Sequence, residues 1–155
     1  MKIIQAMPGM SSAMTESEVD SFLTSKLNIQ VGSIDEQGDP NIQPVWFYYD
    51  SSSKKIFVET GKDTKKTTNI RKRPTIYFSI DDENFPYRGV KGKADVQISE
   101  DPKKNRPIAE KIMVKYLGSL EHPIAKTLLG YVDSGMSVIL EISPRFYSTW
   151  DMSKM

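Results

Sequence analysis

Most of the chemistry open to this chain is concentrated in fifteen residues, TGKDTKKTTNIRKRP, at positions 60–74. Lys62, Lys65, Lys66, Arg71, Lys72 and Arg73 are cationic there and only Asp63 opposes them. The whole chain carries a formal charge of +1, so the remainder is net acidic. Three readings compete for this local excess: a solvated helix face, a nucleic-acid patch, or a cradle for one phosphate group. A polymer asks for basic residues spread over a surface. A single phosphate asks for hydroxyls, ammonium groups and helix-start N–H donors in one turn. Thr60, Thr64, Thr67 and Thr68 beside Lys65 and Lys66 fit the phosphate cradle best.

The rest of the chain is poor in reactive groups. It has no cysteine, which excludes thiolate nucleophiles, disulfides and Cys-based metal sites. His122 is the single histidine, so multi-histidine metal sites are excluded and general acid–base chemistry lacks its usual agent. Preceding Pro123, it reads as a surface or cap residue. An enzyme of this composition would draw its chemistry from a cofactor. Arg88 could meet an acidic substrate or pair with Asp81, Asp82 or Glu83. Trp150 could anchor the tail or cover a ligand. Val45, Phe47 and Tyr49 alternate with Trp46 and Tyr48, which predicts one strand covered on both faces, by the core and by a partner subunit.

The elements that must position these residues follow from pattern. Thr15 and Glu18 form a capping box for a helix over about 15–26. Three strands joined by turns at Asp35–Asp39 and Asp50–Lys54 occupy 27–61. Residues 64–72 make a short helix stopped before Pro74. TIYFSIDD and RGVKGKADVQIS are strands, the second bent or closely approached at Gly89 and Gly92. Asp101-Pro102 opens a helix with the stripe Ile108, Ile112, Met113, Tyr116 and Leu117. Pro123 to Leu129 is a second helical piece, MSVILEISP the last strand, and RFYSTWDMSKM the tail. Tight turns between strands favour a closed antiparallel sheet over a doubly wound parallel one. At 155 residues the chain reads as a single domain, 1–155. No apolar run is long enough to span a bilayer, and the N-terminus lacks a signal-peptide core, which predicts a cytoplasmic protein.

IDEQGDPNIQPVWFYYD, IFVETGKDTKKTTNIRKRPTIYFSIDD, PYRGVKGKADV and the terminal PRFYSTWD together resemble the pyridoxamine 5'-phosphate oxidase-like superfamily of flavin-binding split β-barrels. The resemblance runs from about residue 15 to 151. It implies a mainly β fold with flanking helices, a six-stranded antiparallel split β-barrel, and a homodimer with flavin at the interface. By position it assigns Thr60, Thr64, Lys65 and Lys66 to the flavin phosphate, and Asn69 to the helix that follows. Gln43, Pro44, Val45 and Trp46 fall along the ring, Trp150 near the pocket and Arg88 on the substrate side. FMN is the expected cofactor, with the 8-hydroxy-5-deazaflavin coenzyme as the alternative. The expected activity is hydride or electron transfer to a small organic molecule, or flavin binding without turnover. No nucleic-acid or membrane partner is expected. True pyridoxamine phosphate oxidases carry an Arg-and-His substrate signature near the C-terminus. Here the tail offers only Arg145, so vitamin B6 oxidation is not expected.

Overall fold

The computed structural model describes all 155 residues. One curled sheet of nine strands carries four α-helices. The strands are β1 (Ile3–Gln5), β2 (Ile29–Ile34), β3 (Pro40–Val45), β4 (Tyr48–Asp50), β5 (Lys55–Gly61), β6 (Thr75–Asp82), β7 (Arg88–Ser99), β8 (Ser137–Pro144) and β9 (Tyr147–Asp151). The helices are α1 (Glu16–Leu23), α2 (Lys65–Lys72), α3 (Pro102–Leu117) and α4 (Pro123–Asp133). Along the main path the order is β3-β2-β6-β7-β8-β5-β4, with β9 also pairing β7. Every pairing is antiparallel except β1 with β9.

The expectation of six strands is corrected to nine. Two of the extra strands come from the ends of the chain: the tail supplies β9, and residues 3–5 pair with it as β1. The third comes from VWFYY, which breaks at Trp46 and Phe47 into β3 and β4. There the backbone leaves the ladder because α3 satisfies it instead. Tyr116 Oη accepts from Phe47 N at 3.2 Å and Lys115 Nζ donates to Phe47 O at 3.0 Å. The same break corrects the origin of the second covering over VWFYY. Phe47 and Tyr49 enter the barrel core, while Trp46 and Tyr48 pack against the helical cluster of α3 and α4 in the same chain. Trp46 stacks on Tyr116 with centroids 4.9 Å apart.

Strand alternation produces the two cores. Ile56, Val58, Val138, Leu140 and Ile142 point into the barrel with Ile29, Val31, Phe78 and Val90. Phe57 and Ile139 point outward and are covered by Ala109, Ile112, Met113, Ala125 and Leu129. The Thr15 capping box forms as the sequence predicts, and α1 buries Val19, Phe22 and Leu23. β7 divides its outer edge: Arg88–Lys91 pairs with β9 and Ala94–Ser99 with β8. Its glycines permit the crowding, since a Cβ at Gly89 would overlap the Trp150 ring and one at Gly92 the Phe146 carbonyl. No helix is long and apolar enough to cross a membrane.

Candidate functional site

β3 and β5 are not hydrogen-bonded to each other in the sheet. Lys66 spans the gap between them. Its ammonium donates to Thr60 Oγ1 on β5 at 2.7 Å and to Gln43 Oε1 on β3 at 3.2 Å. Thr64, two residues before Lys66, is the N-cap of α2, accepting from Thr67 N and donating to Gly61 O at 3.2 Å. The N–H groups of Lys65 and Lys66, at the start of the helix, have no backbone partner.

Lys66 is 1% exposed, and no carboxylate is hydrogen-bonded to it. Burial holds its ammonium below the ordinary lysine range, and Glu59 on β5 partly offsets this. A primary ammonium has three donors and Lys66 has used two. Gln43, which covers it, is exposed, so an incoming anion can displace one weakly held amide oxygen. A buried cation with a spare donor beside a helix start suits a compact anion.

Beyond β5 and β3 from this cluster, on the side covered by α3 and α4, Asn28, Pro44, Val45, Trp46, Glu59, Ile112 and Leu128 line a cavity of about 310 Å³. Glu59 precedes Thr60 on β5 and points to the other face of the strand. The structure thus brings together Gln43, Thr60, Thr64 and Lys66, and places Pro44, Val45 and Trp46 on the wall of that cavity. The remaining candidates lie elsewhere. Lys65 is exposed and faces Glu36 at 3.4 Å. Asn69 is buried against Ser33, to whose Oγ its amide donates at 3.1 Å. Arg88 pairs with Asp82 at 3.6 Å and lies over the Phe22 ring. Trp150 lies on β9 across from Gly89. None of these four is hydrogen-bonded to Lys66 or lines the cavity within the chain. His122 is the N-cap of α4, its Nδ1 accepting from Ile124 N at 3.1 Å. The basic run is not one patch: Lys65 and Arg71 are paired with Glu36 and Glu100, and Lys66 is buried.

Glu59 was not singled out by the sequence reading. In IFVETG it shares a face with Phe57, and that alternation was the available signal.

The family model described as pyridoxamine 5'-phosphate oxidase matches residues 15–151. The chain belongs to this family. Among solved structures, the family fold recurs in the conserved hypothetical protein Rv2991 from Mycobacterium tuberculosis. That match has a TM-score of 0.78 and 23% identity, over 97% of this chain and 92% of that one. A protein named F420 reductase matches with a TM-score of 0.67 and 25% identity, over 83% of this chain and 94% of that one. HutZ, a heme storage protein from Vibrio cholerae, matches with a TM-score of 0.66 and 13% identity, over 88% and 93%. No curated protein matches the sequence. Membership in the pyridoxamine 5'-phosphate oxidase family carries flavin or deazaflavin binding as a family trait and gives the chain enzymatic potential. The heme storage protein shows that the fold by itself does not choose the ligand.

Proposed function

We propose that the chain binds FMN at the gap between β3 and β5 and works as a flavin-dependent oxidoreductase on a small organic substrate. The observation that carries this reading is Lys66: a buried ammonium joined to both sides of the gap, with a donor to spare and no carboxylate bonded to it. These residues fit a phosphate-bearing cofactor. Lys66 and Thr60 would hold the phosphate, with the helix start that Thr64 caps. β3 is an edge strand, so the backbone groups on its free side at Gln43–Val45 remain available to a planar ring's polar edge. When bound, the flavin supplies the hydride or electron transfer. The chain's own residues bind, orient and exclude water, and the apolar wall of Val45, Trp46, Ile112 and Leu128 performs the last of these.

The resemblance to an F420 reductase, F420 being a deazaflavin, favours the deazaflavin coenzyme as the second reading. The working unit is a homodimer in this proposal. Its support is an outer face on which Ile42 (68% exposed) and Tyr77 (57% exposed) flank Gly32 over a groove of about 500 Å³. Ile42→Glu should convert a sedimenting dimer to a 17.6 kDa monomer.

Calorimetric titration of the apoprotein with FMN and riboflavin tests the phosphate assignment. Losing two charged hydrogen bonds at about 1.5–3 kcal/mol each should make riboflavin weaker by roughly a hundredfold or more. Riboflavin within about threefold of FMN defeats the reading. The spectrum and mass of the ligand released from native protein decide between FMN and the deazaflavin.

A further inference from the structure

Glu59 is the one acidic side chain on the wall of the 310 Å³ cavity, and it stands on β5 beside Thr60. Its neighbours are unusual for a carboxylate. Pro44, Val45, Trp46, Ile112 and Leu128 make the surroundings largely apolar. The charged and titratable groups of the packed elements are largely engaged in other bonds: on α4, Lys126 pairs with Glu121 and Asp133 with Arg106, and on α3, Tyr116 bonds Phe47 N and Leu27 O. On α2, Lys66 donates to Thr60 and Gln43. On α3, Lys115 bonds Phe47 O and Lys111 lies over the Tyr48 ring. On β8, Glu141 is tied to Lys55 and Lys104. Ser137 and, at longer range, Lys66 are what remain to Glu59. We propose that Glu59 is a specificity residue that makes this cavity select a neutral ring or group and reject an anionic one. This rests on the cavity being the ring side of the proposed cofactor site.

The physical argument is direct. An anion entering the cavity meets a carboxylate on a largely apolar wall, and the nearest cation, Lys66, is bonded to Thr60 and Gln43 and acts on Glu59 only at longer range, so entry of the anion favours a proton on Glu59. Burial already holds the Glu59 carboxyl above the usual carboxylate range, with Ser137 and Lys66 acting against that shift. Entry of an anionic ring is therefore coupled to proton uptake, and its affinity falls as pH rises beyond the titration of Glu59. A neutral ring carries no such coupling.

Two phosphate-free probes isolate this effect from the Lys66 cluster: riboflavin, and 8-hydroxy-5-deazariboflavin at mildly alkaline pH, where its phenol is ionised. Fluorescence titration gives both dissociation constants for the native protein, Glu59→Gln and Asn28→Asp. Gln keeps the shape and removes the charge, while Asp at 28 adds a second carboxylate to the same wall. Glu59→Gln should strengthen the deazaflavin relative to riboflavin by about tenfold, and Asn28→Asp should weaken it. Thermal melts of both variants establish that they fold. An unchanged ratio in Glu59→Gln, with both probes bound, overturns the proposal and leaves the cofactor reading standing. Failure of both probes to bind native protein and variants alike, while FMN still binds, overturns the proposal and leaves the cofactor reading standing; failure of FMN as well overturns the cofactor reading.

Discussion

Replacing Lys66 by methionine should separate binding from stability. Methionine keeps most of the apolar stem and removes the ammonium. Two changes oppose each other in the free protein. Thr60 Oγ1 and Gln43 Oε1 lose their donor, worth about 1 kcal/mol in net terms because Gln43 can turn to water. Against this, a buried and desolvated charge disappears, and such removals are often neutral or stabilising by about 1 kcal/mol or more. The melting temperature should therefore move by less than about 4 °C in either direction. The phosphate, by contrast, loses a charged hydrogen bond worth about 1.5–3 kcal/mol. FMN should bind roughly tenfold to more than a hundredfold more weakly. Riboflavin, lacking the phosphate, should bind nearly as well as to the native chain. Flavin fluorescence titration and a thermal melt on the same preparation measure all three. A melting temperature lowered by more than about 8 °C with FMN affinity intact would show Lys66 to be a structural strut and refute the reasoning.

Lys65→Ala and Lys72→Ala should each change FMN affinity by well under about 1 kcal/mol, since both side chains are exposed, which the same titration checks. Gly89→Ala should cost about 1–3 kcal/mol by urea unfolding, because the new methyl meets the Trp150 ring and lies 2.8 Å from Ile80 O. Burial pushes Lys115 down to about 8. The unfolded chain holds that proton to higher pH, so the contribution of Lys115 to stability rises with pH from about 8 to the ordinary lysine range. Unfolding native protein and Lys115→Met across that window should show the difference shifting in favour of the native chain, and a flat difference would contradict the assignment.

The parts of the fold that were legible in the sequence are those with local causes. The Thr15–Glu18 box, the Asp101-Pro102 helix start and the alternation in TIYFSIDD each depend on contacts within a few residues. The break inside VWFYY has a distant cause, the Tyr116 and Lys115 side chains some seventy positions on, and no local pattern marks it. β1 and β9 are short, β1 pairing only with β9 and β9 with β1 and β7, so their strand character exists only in the assembled sheet. At the site, the adjacent lysines looked equivalent in sequence. Successive helical residues point about 100° apart, which sends Lys66 into the gap and Lys65 to Glu36. Residue type could not separate them because the orientation of α2 on the sheet is a tertiary property.

The pairing of β1 with β9 has a consequence for how the protein is made. β1 is made long before its partner, a strand that begins at Tyr147. Until residue 151 has emerged, β1 has nothing to pair with, and the Arg88–Lys91 edge of β7 lies open. The contact joins residues separated by almost the entire chain, and closing so long a loop is a slow kind of step. A nascent chain paused before β9 would display an unpaired strand edge beside exposed apolar residues, a surface suited to chaperone capture or self-association.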